Sequence, residues 1–110
     1  MTLDDLRAFG ADVDEGLARC MGKEDFYLRL VGMAQDETGY NKLEQAIADG
    51  DLKAGFEAAH GLKGVLGNLA LTPLLEPVSE ITELLRAGTE MDYSDLLAQI
   101  KEQKERFLAL

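Results

Sequence analysis

Residues 51–70 read DLKAGFEAAHGLKGVLGNLA, and this stretch decides the fold. Its apolar side chains recur every three or four positions, at Leu52, Phe56, Ala59, Leu62, Leu66 and Leu69. That spacing predicts an amphipathic α-helix whose apolar stripe faces a core. Asp51 fits the N-cap position, because its carboxylate can accept a hydrogen bond from a free backbone N–H at the helix start. We therefore predict one long central helix that begins after Asp51.

Four shorter helices are predicted before the central one. Thr2 can cap the first and Gly10 ends it, whereas Asp12 or Asp14 can cap the second, which closes at Gly22. A third runs over residues 23–35, and a fourth runs over residues 40–49. The apolar residues predicted to face the core from the third are Phe26, Leu30 and Met33. We expect the methionines to fill gaps in the core and Cys20 to be a partly buried apolar residue.

Two helices are predicted after the central one. Thr72 and Pro73 resemble a cap and a first-turn proline, but Pro77 lacks the N–H that would bond to residue 73. The sixth helix therefore either starts nearer Glu76 or bends at Pro77. The seventh starts around Asp92 or Ser94.

No segment shows sustained strand alternation, and the predicted helices have short connections. The sequence therefore predicts an all-α fold: an antiparallel four-helix bundle with short additional N-terminal helices. We expect the four longest helices to form the bundle and the N-terminal pieces to cover one end. The length of 110 residues fits a single domain over 1–110.

The composition argues against several functions. A formal net charge of −10 opposes binding to nucleic acid or to an anionic membrane surface. One histidine and one cysteine cannot build a zinc site, so no metal site is expected. We expect no signal segment, and no apolar run is long enough to cross a bilayer. We expect a soluble, cytoplasmic protein, most simply a monomer.

His60 is the only histidine, and it is predicted to be exposed on the central helix. At 100° per residue it lies about 140° from the centre of the apolar stripe. Gly64 and Gly67 fall within about 40° of it, and Gly61 lies further round. Lys63 falls between the histidine and the stripe. Each glycine inside a helix lowers helix stability by about 1 kcal/mol relative to alanine. Three glycines near His60 therefore indicate a function that offsets this loss.

Access for a partner is one such function. A neutral imidazole nitrogen is a nucleophile, and a cation one turn away can steady a phosphoryl group carried on it. The exposed nucleophile, the cleared surface and Lys63 together suggest phosphoryl transfer between proteins.

These residues bring the sequence close to a known family. Ala59, His60, Leu62, Lys63 and Gly64 match the motif Ala-His-x-Leu-Lys-Gly of the histidine-containing phosphotransfer (HPt) domain, and Gly67 matches a small residue three positions further on. The chain resembles that family in length and in its helices as well. It departs at Ala70, where the family often has glycine, and at Leu71, where it often has a small residue. Pro77 is also unusual for the helix that follows.

The resemblance implies a phosphoryl carrier in a two-component phosphorelay, without kinase activity of its own. His60 would accept a phosphoryl group from a receiver-domain aspartate and pass it to another receiver. Lys63 would support the phosphate, and Gly61, Gly64 and Gly67 would give the receiver access. The partners implied are response-regulator receiver domains and a hybrid histidine kinase. No cofactor is expected on this chain, because the receiver domain would supply magnesium.

The alternative is a helical-bundle adaptor, or a degenerate HPt-like domain that docks receiver domains without carrying phosphate. The two interpretations differ at one residue, since transfer requires His60 and docking alone should tolerate His60→Gln.

Overall fold

The fold is described by a computed structural model that covers residues 1–110 and contains helices and no strands. The seven helices are α1 (Leu3–Phe9), α2 (Val13–Arg19), α3 (Glu24–Gln35), α4 (Gly39–Ala48), α5 (Leu52–Asn68), α6 (Thr72–Arg86) and α7 (Ser94–Leu108). The predicted all-α fold is confirmed.

The four-helix bundle consists of α4, α5, α6 and α7. Each packs mainly against its neighbour in sequence, and α7 returns to α4, where the Lys104 Nζ lies 5.0 Å from the centroid of the Tyr40 ring. The expectation that the four longest helices form the bundle is wrong, because α3 has 12 residues and α4 only 10. The tight turn at Gly50, with φ of 70°, makes α4 the antiparallel neighbour of α5. The short connection between α4 and α5, and not helix length, therefore decides which helices belong to the bundle.

The N-terminal helices cover one end of the bundle, as predicted. The Tyr27 hydroxyl of α3 donates a hydrogen bond to the Leu69 carbonyl at 2.9 Å, beside the C-terminus of α5. The Asp12 N–H, just before α2, donates to the Ala70 carbonyl at 2.9 Å. Phe9 of α1 stacks on Phe107 of α7 with ring centroids 5.7 Å apart. Buried residues of α1, α2 and α3 belong to the same apolar core as those of the bundle.

The buried face of α3 differs from the predicted one. Phe26 is 36% exposed and Met33 is 64% exposed, whereas Tyr27, Val31 and Ala34 face the core. Both sets have helical spacing, so periodicity alone could not choose between them. Tyr27 is fully buried because its ring packs in the core while its hydroxyl reaches a carbonyl of the bundle.

The methionines do not fill the core as expected. The four are exposed at the surface: Met1, Met21, Met33 and Met91. Met21, with φ of 57°, lies in the turn after α2, since α2 ends at Arg19. Leucine, isoleucine, valine and aromatic side chains fill the interior instead, and Cys20 is buried among them.

The helix boundaries settle the open alternatives. Asp12 caps α2, and α7 begins at Ser94. Helix α6 begins at Thr72, not nearer Glu76, and it continues through Pro77, whose ring is buried. Its N-cap is Leu71 and not Thr72. The corner between α5 and α6 includes Ala70 with a positive φ of 54°.

Candidate functional site

His60 lies near the middle of α5 and is exposed, as the helical-wheel argument predicts. The opposite face of α5 packs against the core through the buried side chains of Ala59, Leu62 and Leu66. Because these side chains fix the rotation of α5 about its axis, the imidazole is held on the outer face of the bundle.

The imidazole stacks on Phe56, which lies one turn earlier on α5. The two ring centroids are 5.5 Å apart and the ring planes differ by 19°. Phe56 is half-buried, and the guanidinium of Arg86 on α6 covers its ring at 4.8 Å from the centroid. The apolar spacing of α5 placed Phe56 in the core stripe and did not predict this contact. The i, i+4 spacing of Phe56 and His60 was the available signal.

Lys63 takes part in an ion-pair network between α5 and α6. Its Nζ lies 3.3 Å from Glu83 Oε1, and the Nε of Arg86 lies 3.1 Å from Glu83 Oε2. Hydrogen bonds from Arg86 and then from Lys63 hold the pKa of the Glu83 carboxyl below its usual value. Lys63 is therefore beside the histidine, one turn away, and is already paired with a carboxylate. Glu83 and Arg86 are further residues of the site that no pattern in the sequence predicted.

The three candidate access glycines fall on two sides of α5. Gly64 and Gly67 line the same groove as His60 and Lys63, whereas Gly61 lines a different groove beside α4. A methyl group added at Gly61 or Gly64 would meet nothing within 4 Å. At Gly67 it would meet only Leu75 Cδ1, at 3.9 Å. Packing therefore requires none of these glycines.

The groove beside His60 has a volume of about 420 Å³ and extends beyond the bundle to α2. Glu15 and Arg19 of α2 line it, together with residues of α5 and α6. The Arg19 guanidinium donates to Glu15 Oε1 from Nε at 3.3 Å and from Nη2 at 3.1 Å. No local pattern in the sequence indicated that α2 would lie beside His60, because that proximity depends on tertiary packing. We call this surface the His60 groove.

The site is an exposed nucleophile with free space around it and a cation one turn away. No group of three or more His, Cys, Asp or Glu side chains is arranged to hold a metal ion. None of the helices combines the length and the apolar character needed to cross a membrane. The arrangement suits a reaction in which a partner protein brings the other reactant to His60.

Comparison with known proteins assigns the family. No curated protein and no solved structure matched this chain. A family model described as the Hpt domain matches residues 33–109, which include all of α4–α7 and leave α1, α2 and most of α3 outside. That match covers well over half of the chain, and the bundle of α4–α7 agrees with the four-helix bundle of the family. The chain belongs to the Hpt domain family, whose members are phosphoryl carriers and not kinases.

Proposed function

We propose that His60 accepts a phosphoryl group from the aspartyl phosphate of one receiver domain and passes it to the aspartate of another. The observation that carries this proposal is the exposure of His60 beside open glycines, in a chain of the Hpt domain family. A protein partner needs such a surface, because its own backbone must approach the imidazole closely.

The transfer step follows from the chemistry of a neutral imidazole. The lone pair of the unprotonated ring nitrogen of His60 attacks the phosphorus atom, and a nitrogen–phosphorus bond forms. The bond between phosphorus and the aspartate oxygen breaks, and the carboxylate leaves with the electron pair. The other ring nitrogen keeps its proton during this step. Transfer to the second receiver is the reverse reaction with a different aspartate.

Each neighbour has a role in this proposal. Lys63 exchanges Glu83 for a phosphoryl oxygen when His60 is loaded, which lowers the free energy of the phosphorylated form. Phe56 stacks against one face of the imidazole and fixes the plane of that ring, and the guanidinium of Arg86 keeps the Phe56 ring in place. Gly64 and Gly67 leave room in the His60 groove, and Gly61 leaves room on the other side of α5.

The wider assignment is part of the same proposal. Residues 1–110 act as one domain and as a monomer in the cytoplasm, and the receiver domain supplies the magnesium. The shared core of the N-terminal helices and the bundle supports one domain. A hybrid histidine kinase is the upstream source of phosphate in this scheme.

The deciding experiment is phosphotransfer from a panel of phosphorylated receiver domains to the wild-type protein and to His60→Gln. We expect the wild type to acquire a label that is lost in acid and persists in base, as for a phosphoryl group on nitrogen, and His60→Gln to acquire none. A label that is stable in acid, or that survives in His60→Gln, would contradict the proposal.

The same panel tests the adaptor alternative. Binding of an unphosphorylated receiver to wild type and to His60→Gln, measured by titration calorimetry, separates docking from transfer. Docking by both proteins without labelling of the wild type would identify an adaptor. Docking by both with labelling of the wild type alone is the outcome we expect.

A further inference from the structure

Helix α2 lies outside the residues that match the family, yet it forms one end of the His60 groove. Its position is fixed by several contacts. The Asp12 N–H bonds to the Ala70 carbonyl, and the ring of Tyr27 packs so closely on Gly16 that an added methyl group would lie 2.5 Å from it. Arg19 is therefore presented beside the C-terminal end of α5 by a rigid support.

Simple dimensions place α2 within the reach of a docked protein. Protein interfaces bury about 600–800 Å² per partner, which corresponds to a disc of about 14–16 Å in radius. A helix rises 1.5 Å per residue, so Asn68, at the far end of the groove, lies about 12 Å along α5 from His60. A domain of that size centred on His60 therefore reaches Asn68, and Glu15 and Arg19 of α2 line the same groove.

The charges of the groove indicate what that surface binds. Arg19 is half exposed, with a side-chain exposure of 51%, and its Nη1 donates no hydrogen bond within the chain. It adds a second cation to a groove that already contains Lys63, in a protein whose formal net charge is −10. Glu15 is the one carboxylate that lines the groove, so two cations against one anion leave the groove positive in a protein that is acidic as a whole, and a carboxylate of a partner is favoured there more than elsewhere on the surface.

We infer that α2 forms part of the receiver-docking surface, with Arg19 pairing with a carboxylate of the receiver domain that approaches His60. The inference rests on the proposed function, since it takes the receiver domain as the partner. It assigns a role in partner choice to the N-terminal segment, through a side chain separate from those that support the phosphoryl group.

The test is receiver binding, measured by titration calorimetry with the unphosphorylated receiver that binds the wild-type protein most tightly in the panel. We expect Arg19→Ala to raise the dissociation constant about two- to fivefold, and Arg19→Glu about tenfold. Glu15→Gln should lower it about twofold, because Arg19 then loses the carboxylate of α2 with which it pairs. The increase in the dissociation constant caused by Arg19→Ala should be smaller at high salt, because salt screens the charge pair.

Arg7 provides a matched control in the same N-terminal segment. It pairs with Asp14 at 3.4 Å, its side chain is 49% exposed, and it does not line the His60 groove. Arg7→Ala should leave receiver binding unchanged. Thermal unfolding of each variant shows whether α2 is still in place.

The outcomes separate this inference from the proposed function. If the wild type is labelled at His60 but Arg19→Ala binds the receiver as well as Arg7→Ala does, the inference is wrong and transfer stands. If Arg19 variants lose binding but His60 is never labelled, the docking surface stands and transfer fails. Faster hydrolysis of phosphorylated Arg19→Ala in the absence of a receiver would mean that Arg19 contacts the phosphoryl group, which would overturn the inference. So would a panel in which no receiver binds the wild type.

Discussion

The helical glycines of this protein fall into two groups that differ in what surrounds them. At Gly16 an added methyl group would lie 2.5 Å from the Tyr27 ring, and at Gly39 it would lie 2.9 Å from Leu62. At Gly61 and Gly64 it would meet nothing within 4 Å. The first group allows neighbouring side chains to pack closely, whereas the second lowers helix stability without any packing gain. Gly32 of α3 is equally open but lies away from the His60 groove, so it is the position of Gly64 and Gly67 beside His60, and not open space alone, that suggests a role in partner access.

The largest expected effect comes from filling the open positions together. The triple change Gly61→Ala, Gly64→Ala and Gly67→Ala should raise the free energy of unfolding by about 2–3 kcal/mol, because alanine is favoured over glycine by about 1 kcal/mol within a helix. Urea denaturation measures it. An unchanged or lower stability would show that these glycines have a structural role after all, and the distinction between the two groups would fail.

The opposite effect is expected at a packed position. Gly16→Ala should lower the free energy of unfolding by about 1–3 kcal/mol, because the new methyl group overlaps a buried ring. Gly32→Ala is the matched control, since Gly32 is helical and an added methyl group there meets nothing within 4 Å. A neutral Gly16→Ala would mean that α2 shifts away from α3 at little cost.

Gly16→Ala also has a spectroscopic signature. Burial raises the pKa of Tyr27 to about 12. The neutral phenol therefore stabilises the folded protein fully below the pKa of unfolded tyrosine, about 10, and this stabilisation is lost as the pH rises through the pKa of the folded protein. Displacing the ring in Gly16→Ala should move the pKa back toward the ordinary value. The difference between the alkaline titrations of tyrosine absorbance in Gly16→Ala and in the wild type measures this shift, because Tyr40 and Tyr93 contribute to both curves.

A bulky residue at an open position should separate stability from function. Gly64→Leu should raise the free energy of unfolding by about 0.5–1 kcal/mol. It should also slow transfer from a receiver about tenfold, which corresponds to about 1.4 kcal/mol in the transition state. Gly32→Leu is the control, because Gly32 does not line the His60 groove. Equal transfer rates in the two variants would remove the access argument.

The smallest effect is expected from the charge beside His60. Lys63→Ala should reduce transfer or the lifetime of the phosphorylated protein about two- to fivefold, as for a partly exposed ion pair. The free energy of unfolding should change by less than about 0.5 kcal/mol. Lys53→Ala is the control, since Lys53 is an exposed lysine on the same helix. If both variants behave like the wild type, Lys63 has no part in the mechanism.

Much of the fold could be predicted because the periodicity of α5 is unambiguous. One face of α5 carries an apolar side chain of the stripe at each turn, so the exposure of His60 on the other side follows from the same pattern. Helix α3 offers two apolar stripes, and the choice between Phe26 and Tyr27 depends on a carbonyl 42 residues away in the chain. A contact of that kind cannot be read from local spacing.

The residues of the candidate site also divide into those that could be predicted from the sequence and those that could not. The neighbours of His60 on its own helix, Lys63 and Gly64, could be predicted from helical geometry. Glu83 and Arg19 could not, because they come from α6 and α2 and meet the groove only through tertiary packing. The stacking of Phe56 on His60 lies between these two cases. The i, i+4 spacing of the two residues is visible in the sequence, but the half-buried position of Phe56 is not.

The corner between α5 and α6 carries a conformational strain. Ala70 has a positive φ of 54°, a region in which a side chain costs about 1 kcal/mol and glycine costs almost nothing. The Ala70 carbonyl accepts the hydrogen bond from Asp12, so the N-terminal segment and the strained residue hold each other in place. Loss of that contact would let the corner relax. The segment before α2 therefore helps to offset a local backbone cost at the end of the helix that carries His60.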